Sequence, residues 1–286
     1  MRIVTDCAAD MPEKELEELG ITQAPLYIQF PEGEVSSNDI TVDAFYDRLE
    51  AMQPQIPTTA MPSTGLLAEI YAALARVDKE ILSIHISSGL SGTIQAARGA
   101  AEELRQRADV SFWDTLTLSG GERFQVMAAA LAARAGWTMS AIQERLAAIR
   151  AKTEVVYTLD TLDYLARGGR IGRVQALAGA ILHLKPIIRV DSDGKYSSVS
   201  SARTIGKSIT SITEHIHNRY VDAPLWVTVL HGRFAEKAEE LSSHLQEKLN
   251  IARLEVMRIS PVLGVHTGPG IVGAAVVPTE VVEDLW

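Results

Sequence analysis

Residues 80–97 read Glu80-Ile81-Leu82-Ser83-Ile84-His85-Ile86-Ser87-Ser88-Gly89-Leu90-Ser91-Gly92-Thr93-Ile94-Gln95-Ala96-Ala97. Ile81 to Ile86 is a short apolar run of strand length. A hydroxyl- and glycine-rich loop follows, and Thr93 to Arg107 opens an alanine-rich helix. A buried strand, a polar loop and a helix make one half of a βα unit, and the pattern recurs on both sides. Ile3-Val4-Thr5 precedes the turn Asp6 to Asp10 and a helix with Pro12 in its first turn and Gly20 past its end. Ala24 to Phe30 reads as a strand and Thr41 to Met52 as a helix. Val110 to Trp113 reads as a strand and Arg123 to Arg134 as a helix. Strands alternating with helices predict a mainly parallel sheet covered on both faces, a three-layer α/β/α unit.

The second half changes character. Val155 to Leu159 is a strand, followed by a helix that Gly168-Gly169 should end. Pro186 to Val190 and Lys195 to Ser200 flank Asp191-Ser192-Asp193-Gly194, a hairpin signal because Asp-Gly tolerates the positive φ of a tight turn. A helix over 203–218, a strand over 225–230, a helix over 234–248, a strand over 253–259 and a last strand from Ile271 to Val277 complete a two-layer α/β unit with a mixed sheet. The boundary falls near residue 153, giving an N-terminal domain over 1–153 and a C-terminal domain over 154–286.

Composition excludes several function classes. The chain has 286 residues and a formal net charge of −9. No dense Lys/Arg run offers a nucleic-acid face, and an anionic membrane surface would repel the chain. Apolar residues make up 47%, enough for a packed core. No stretch approaches the about 18 uninterrupted apolar residues of a membrane span. Cys7 is the single cysteine, so neither an intramolecular disulfide nor a cysteine-rich metal site is possible. No signal peptide is visible, and the expected location is cytoplasmic. No metal site and no cofactor are expected. Asp6 and Asp10 read as turn and cap residues, Cys7 as a small buried hydrophobe, and His85 as a satisfied core residue.

Three segments concentrate hydroxyls with Gly or Pro beside expected helix starts: Pro57-Thr58-Thr59-Ala60-Met61-Pro62-Ser63-Thr64-Gly65, Ser87 to Thr93, and His266-Thr267-Gly268-Pro269-Gly270. Read singly, Ser63, Ser91 and Thr93 are helix caps and the last segment is a turn. Two helix starts facing each other would also form a socket for a carboxylate or phosphate.

Taken in order, five pieces resemble the DegV family. They are Val4-Thr5-Asp6 with Asp10; Thr59 with Pro62-Ser63; Ser87 to Thr93; Leu159-Asp160-Thr161-Leu162-Asp163-Tyr164-Leu165 with Gly168-Gly169-Arg170-Ile171; and the His266 segment. Lys185-Pro186-Ile187 and Ala202-Arg203-Thr204 also match. The resemblance implies a protein that is not itself an enzyme and encloses one long-chain fatty acid. It implies presentation of the carboxylate to a partner fatty acid kinase, as its fatty-acid-binding subunit. By motif position, Thr59, Ser91 and Gly92 would bind the carboxylate, with Ser63, Arg170, Arg203, His266 and Thr267 near the head group. Two other readings compete. One is a serine hydrolase using Ser91 and His266, although Gly89-Leu90-Ser91-Gly92-Thr93 lacks the last glycine of the nucleophile elbow. The other is a phosphotransfer domain like that of dihydroxyacetone kinase, without a nucleotide-binding loop. The chain departs from the family pattern at Cys7, at Ala60-Met61 and at Ser119-Gly120-Gly121-Glu122-Arg123. If that last helix lines the tunnel, its charge pair should alter the cavity or sit at its mouth.

Overall fold

A computed structural model describes residues 1–174 and 184–285. The elements through the first half are β1 (Arg2–Asp6), α1 (Glu13–Leu19), β2 (Ile21–Ala24), β3 (Tyr27–Phe30), β4 (Gly33–Ser36), α2 (Val42–Ala51), β5 (Thr58–Ala60) and α3 (Thr64–Ala75). They continue as β6 (Glu80–His85), α4 (Thr93–Glu102), β7 (Asp109–Asp114), α5 (Ser119–Arg134) and α6 (Met139–Lys152). The second half contains β8 (Glu154–Leu159), α7 (Asp163–Arg167), β9 (Lys185–Val190), β10 (Tyr196–Ala202), α8 (Ile205–Tyr220), β11 (Leu225–His231), α9 (Ala235–Lys248), β12 (Ile251–Arg258), α10 (Pro261–Thr267) and β13 (Ile271–Pro278).

Three sheets result. Sheet A is parallel, in the order β2-β1-β6-β7, and sheet B is antiparallel, β4-β3-β5. Sheet C is mixed, β10-β9-β8-β13-β11-β12. The expected parallel and mixed sheets are both present. Sheet B is an addition to the sequence reading. Ala24 to Phe30 divides into β2 and β3, which belong to different sheets. Pro25 between them has no N–H and cannot continue a ladder.

The core is layered. Helices α3 and α4 cover one face of sheet A with Leu67, Tyr71, Ala97 and Ala100. On the other face lies α5, which also packs against β8 and β13 of sheet C. The far face of sheet C is closed by Ile209, Ile212 and Ile216 of α8 and Leu241 and Leu245 of α9. Gly120 and Gly121 let α5 approach sheet C. A side chain at Gly120 would lie 2.7 Å from the Ala275 Cβ, and one at Gly121 would lie 2.6 Å from the Val155 Cγ2. Sheet B packs on α2 and α10 through Ile28, Phe45, Leu49 and Val265. No helix of the described residues is long and apolar enough to cross a membrane.

Candidate functional site

Four separate chain segments converge on a cavity of about 390 Å³. Thr59 comes from β5, where it pairs with Ile28. Ser91 and Gly92 come from the loop before α4, His266 and Thr267 from the last turn of α10, and Arg170 from the segment after α7. Leu26, Ile86 and Leu90 supply apolar wall. Thr59 therefore sits on a strand, not at a helix start as the sequence suggested. The His266 segment closes a helix: α10 ends at Gly268, whose φ is 71°. Ser91 alone of the three segments brings a helix start to the cavity.

The polar groups are ordered by their own bonds. His266 Nε2 lies 2.8 Å from Thr59 Oγ1. Its Nδ1 has no hydrogen-bond partner among the described residues. That nitrogen faces the α-carbon of Gly168, where any Cβ would collide with the ring. Burial first, and the Arg170 charge second, hold the His266 pKa at about 4, so the ring is neutral at pH 7. A neutral ring protonated on Nε2 donates to Thr59 Oγ1. The threonine hydroxyl proton is then free to point into the cavity. Placing the proton on Nδ1 would leave a buried unpaired donor and consume the Thr59 hydroxyl. An acceptor-only ligand thus selects the first tautomer. Arg170 is fixed by its own Nη1–H, which donates to the Gly168 carbonyl at 2.6 Å.

Ser91 Oγ lies 2.8 Å from Thr93 Oγ1 and accepts the Thr93 N–H at 3.3 Å. It stands just before the N-cap Gly92 of α4 and lines the cavity, beside amides that carry the positive end of the helix dipole. Met61, 50% exposed, also lines the cavity, and a Cβ at Gly92 would sit 3.1 Å from its Sδ. No hydrogen bond joins Ser91 to His266; their partners are Thr93 and Thr59. A Ser–His–Asp constellation does exist elsewhere. Ser83 Oγ is 2.7 Å from His85 Nε2, and His85 Nδ1 is 3.0 Å from Asp6 Oδ2. All three residues are fully buried, so this relay is a core network, as expected for His85.

A second cavity adjoins the first. Tyr196, Leu263 and Thr267 line both the first and this narrow second one, of about 20 Å³. The second cavity lies on the face of sheet C, against Val155 and Tyr157 of β8, Ile271 and Gly273 of β13, and Leu230 of β11. Leu118 and Ser119 close it from above at the start of α5. Its narrowness means that a long apolar guest enters only by displacing these flexible side chains.

The expected head-group residues separate into two groups. Thr59, Ser91, Gly92, Arg170, His266 and Thr267 all line the first cavity. Ser63 is an exposed cap that accepts the Leu66 N–H at 3.1 Å. Arg203 is exposed beyond β10 and lines neither cavity. Glu122 and Arg123 of α5 line neither cavity. Glu122 accepts the Thr5 hydroxyl at 3.3 Å, and burial pushes its carboxyl well above the usual range. Arg123 pairs with Glu15 and Glu255. Tyr196 was missed. Its signal was an aromatic residue directly after the hairpin turn, at an inward position of an otherwise serine-rich strand.

The α/β frame thus sets a polar-lined cavity beside a small apolar one. The model for the family described as "Uncharacterised protein, DegV family" matches residues 1–279, and the chain belongs to the DegV family. A DegV domain-containing protein of Deinococcus radiodurans is 36% identical over 278 residues, covering 96% of this chain and 95% of that one. One from Streptomyces coelicolor is 35% identical over 277 residues, covering 96% and 97%. Among solved structures, a DegV family protein from Thermus thermophilus, described for its fatty acid binding, superposes with a TM-score of 0.90. It is 29% identical, covering 97% of this chain and 100% of that one. DegV of Bacillus subtilis, described as a fatty acid binding protein, gives 0.88 at 27% identity, covering 97% and 98%. A stearic-acid-binding protein from Eubacterium ventriosum gives 0.88 at 25%, covering 97% and 98%.

Proposed function

We propose that this protein binds one long-chain fatty acid and presents its carboxylate to a partner fatty acid kinase for acyl-phosphate formation, acting in the cytoplasm without a cofactor of its own. The observation that carries the binding reading is a pair of adjacent cavities: a polar chamber at Thr59, Ser91 and His266 shares Tyr196, Leu263 and Thr267 with a small apolar cavity, which an acyl tail would have to widen. A carboxylate only accepts hydrogen bonds, so hydroxyl donors and a helix start suit it. The tail supplies most of the affinity, at about 0.8 kcal/mol gross for each buried methylene. Solved DegV proteins described as binding fatty acids support the ligand class. Support for the kinase role is the family resemblance together with Arg170 and His266 at the head group, where phosphoryl transfer needs donors and positive charge.

Denaturing extraction and mass spectrometry should recover about one fatty acid per chain from protein purified without added lipid, since a ligand that binds only the folded state is retained by mass action. Extraction that recovers none, with no affinity for added palmitic acid, sinks the binding reading. For the kinase role, His266→Ala should retain lipid yet fail as a kinase substrate; parallel loss of both would show that the two roles share one cause.

A further inference from the structure

One wall of the small apolar cavity is a partition held by hydrogen bonds. Ser119 and Ile259 line that cavity. On the other side lies an open groove of about 380 Å³, lined by Asp10, Met11, Val256, Met257 and Ser260. Between the two, Ser119 Oγ–H donates to Asp10 Oδ2 at 2.5 Å and the Ser260 N–H donates to Asp10 Oδ1 at 2.7 Å. The three residues belong to the turn after β1, the start of α5 and the N-cap of α10. Asp10 and Ser119 are non-glycine residues with φ of 51° and 53°. Such backbone persists only where the surroundings over-determine it. Asp10 is 8% exposed, so its carboxylate relies on these two donors.

A methyl terminus that reaches Ser119 can go no further without breaking the bonds of a buried carboxylate. Each further methylene would gain only about fourfold in affinity, less than the loss on leaving that carboxylate unpaired. Beyond the partition the groove is open to solvent, so a chain forced through would be buried only in part.

We propose that the Asp10–Ser119–Ser260 clasp is the end-stop of the acyl tunnel and sets the longest saturated chain the protein accepts, an inference that rests on the fatty-acid reading. The test is a set of relative affinities for palmitic, stearic, arachidic and behenic acid, measured by displacement of a fluorescent fatty acid from the full chain. Ser119→Gly suits the positive φ and removes the hydroxyl; it should raise the arachidic-to-palmitic affinity ratio about tenfold. Ile259→Ala widens the same end and should raise the ratio as well, whereas Ile259→Phe fills it and should lower the ratio. Circular dichroism verifies folding of each variant. Wild type that binds palmitic acid, with ratios unchanged in all three folded variants, overturns the end-stop alone. Wild type that binds none of the four acids overturns the fatty-acid reading, and this inference with it.

Discussion

The two adjacent cavities are built by opposite means. The head chamber is assembled from loops and element ends, and its polar groups are bonded to one another: His266 to Thr59, Ser91 to Thr93, Arg170 to the Gly168 carbonyl. The small cavity proposed for the tail is assembled from the face of sheet C and the start of α5, and its surface is almost wholly apolar, tyrosine rings included. The difference teaches where each kind of energy resides. Directional bonds position a charged head but add modest net stability, because water is displaced to form them. Non-directional burial supplies affinity and tolerates imprecise walls.

The sharpest way to break this contrast is to place a charge in the neck. Leu263→Asp should reduce fatty acid affinity by about two orders of magnitude or more, since an unpaired carboxylate would be desolvated beside the chain. Fluorescent-lipid displacement would check this, and near-normal binding by the folded variant would refute the tail's dominance. Loss of a single head donor should matter less. Thr59→Ala or Ser91→Ala should each cost on the order of 1.5–3 kcal/mol by calorimetry. If both variants bind as wild type does, the head chamber is not the carboxylate site.

Acid sharpens the comparison, because the two ends titrate in opposite senses. The His266 pKa is depressed from 6.5 to about 4, so between these values the unfolded chain binds more protons and stability falls as pH falls. The Asp10 pKa is raised by burial from 3.8 to about 6, so between these values the folded chain binds more protons and stability falls as pH rises. Each effect should be on the order of 1–2 kcal/mol, the histidine's the smaller because one edge of its ring is accessible. Melting temperatures of ligand-free protein from pH 4 to 6.5 should therefore vary little in wild type. They should fall with rising pH in His266→Gln and rise with it in Asp10→Asn. Identical slopes in both variants would show that these groups do not govern the acid range. The smallest effect is expected at exposed Arg203, where Arg203→Ala should alter melting and lipid affinity by less than about 0.5 kcal/mol.

That the polar cavity would draw on the Thr59, Ser91 and His266 segments was legible in the sequence, because they are short, polar and bounded by Gly and Pro, which announce turns and caps. Even there the backbone was misjudged. Thr59 lies on a strand of three residues, too short to show a period, and α10 begins with Pro261-Val262-Leu263-Gly264, which reads equally as a loop. The tail end was not legible. Every residue of β8, β11 and β13 is buried. With no alternation between apolar and polar positions, nothing in the sequence says which face meets the cavity. Nor does it say that Ser119 reaches across to Asp10, a contact 109 positions distant along the chain.

The position of α5 between sheets A and C has a consequence for cooperativity. Nearly every residue from Ser119 to Ala132 is buried, and one continuous apolar cluster joins Leu82 and Ile84 of β6, through Phe124 and Ala128, to Tyr157 and Ala275. Neither half can melt while leaving the other's core intact, because each would strip the same helix. The chain should unfold in a single transition although its sequence reads as two domains. A guest held against Leu118 and Ser119 then stabilises sheet A, which it never touches, and hydrogen exchange in β1 and β6 should slow on binding as much as in β8.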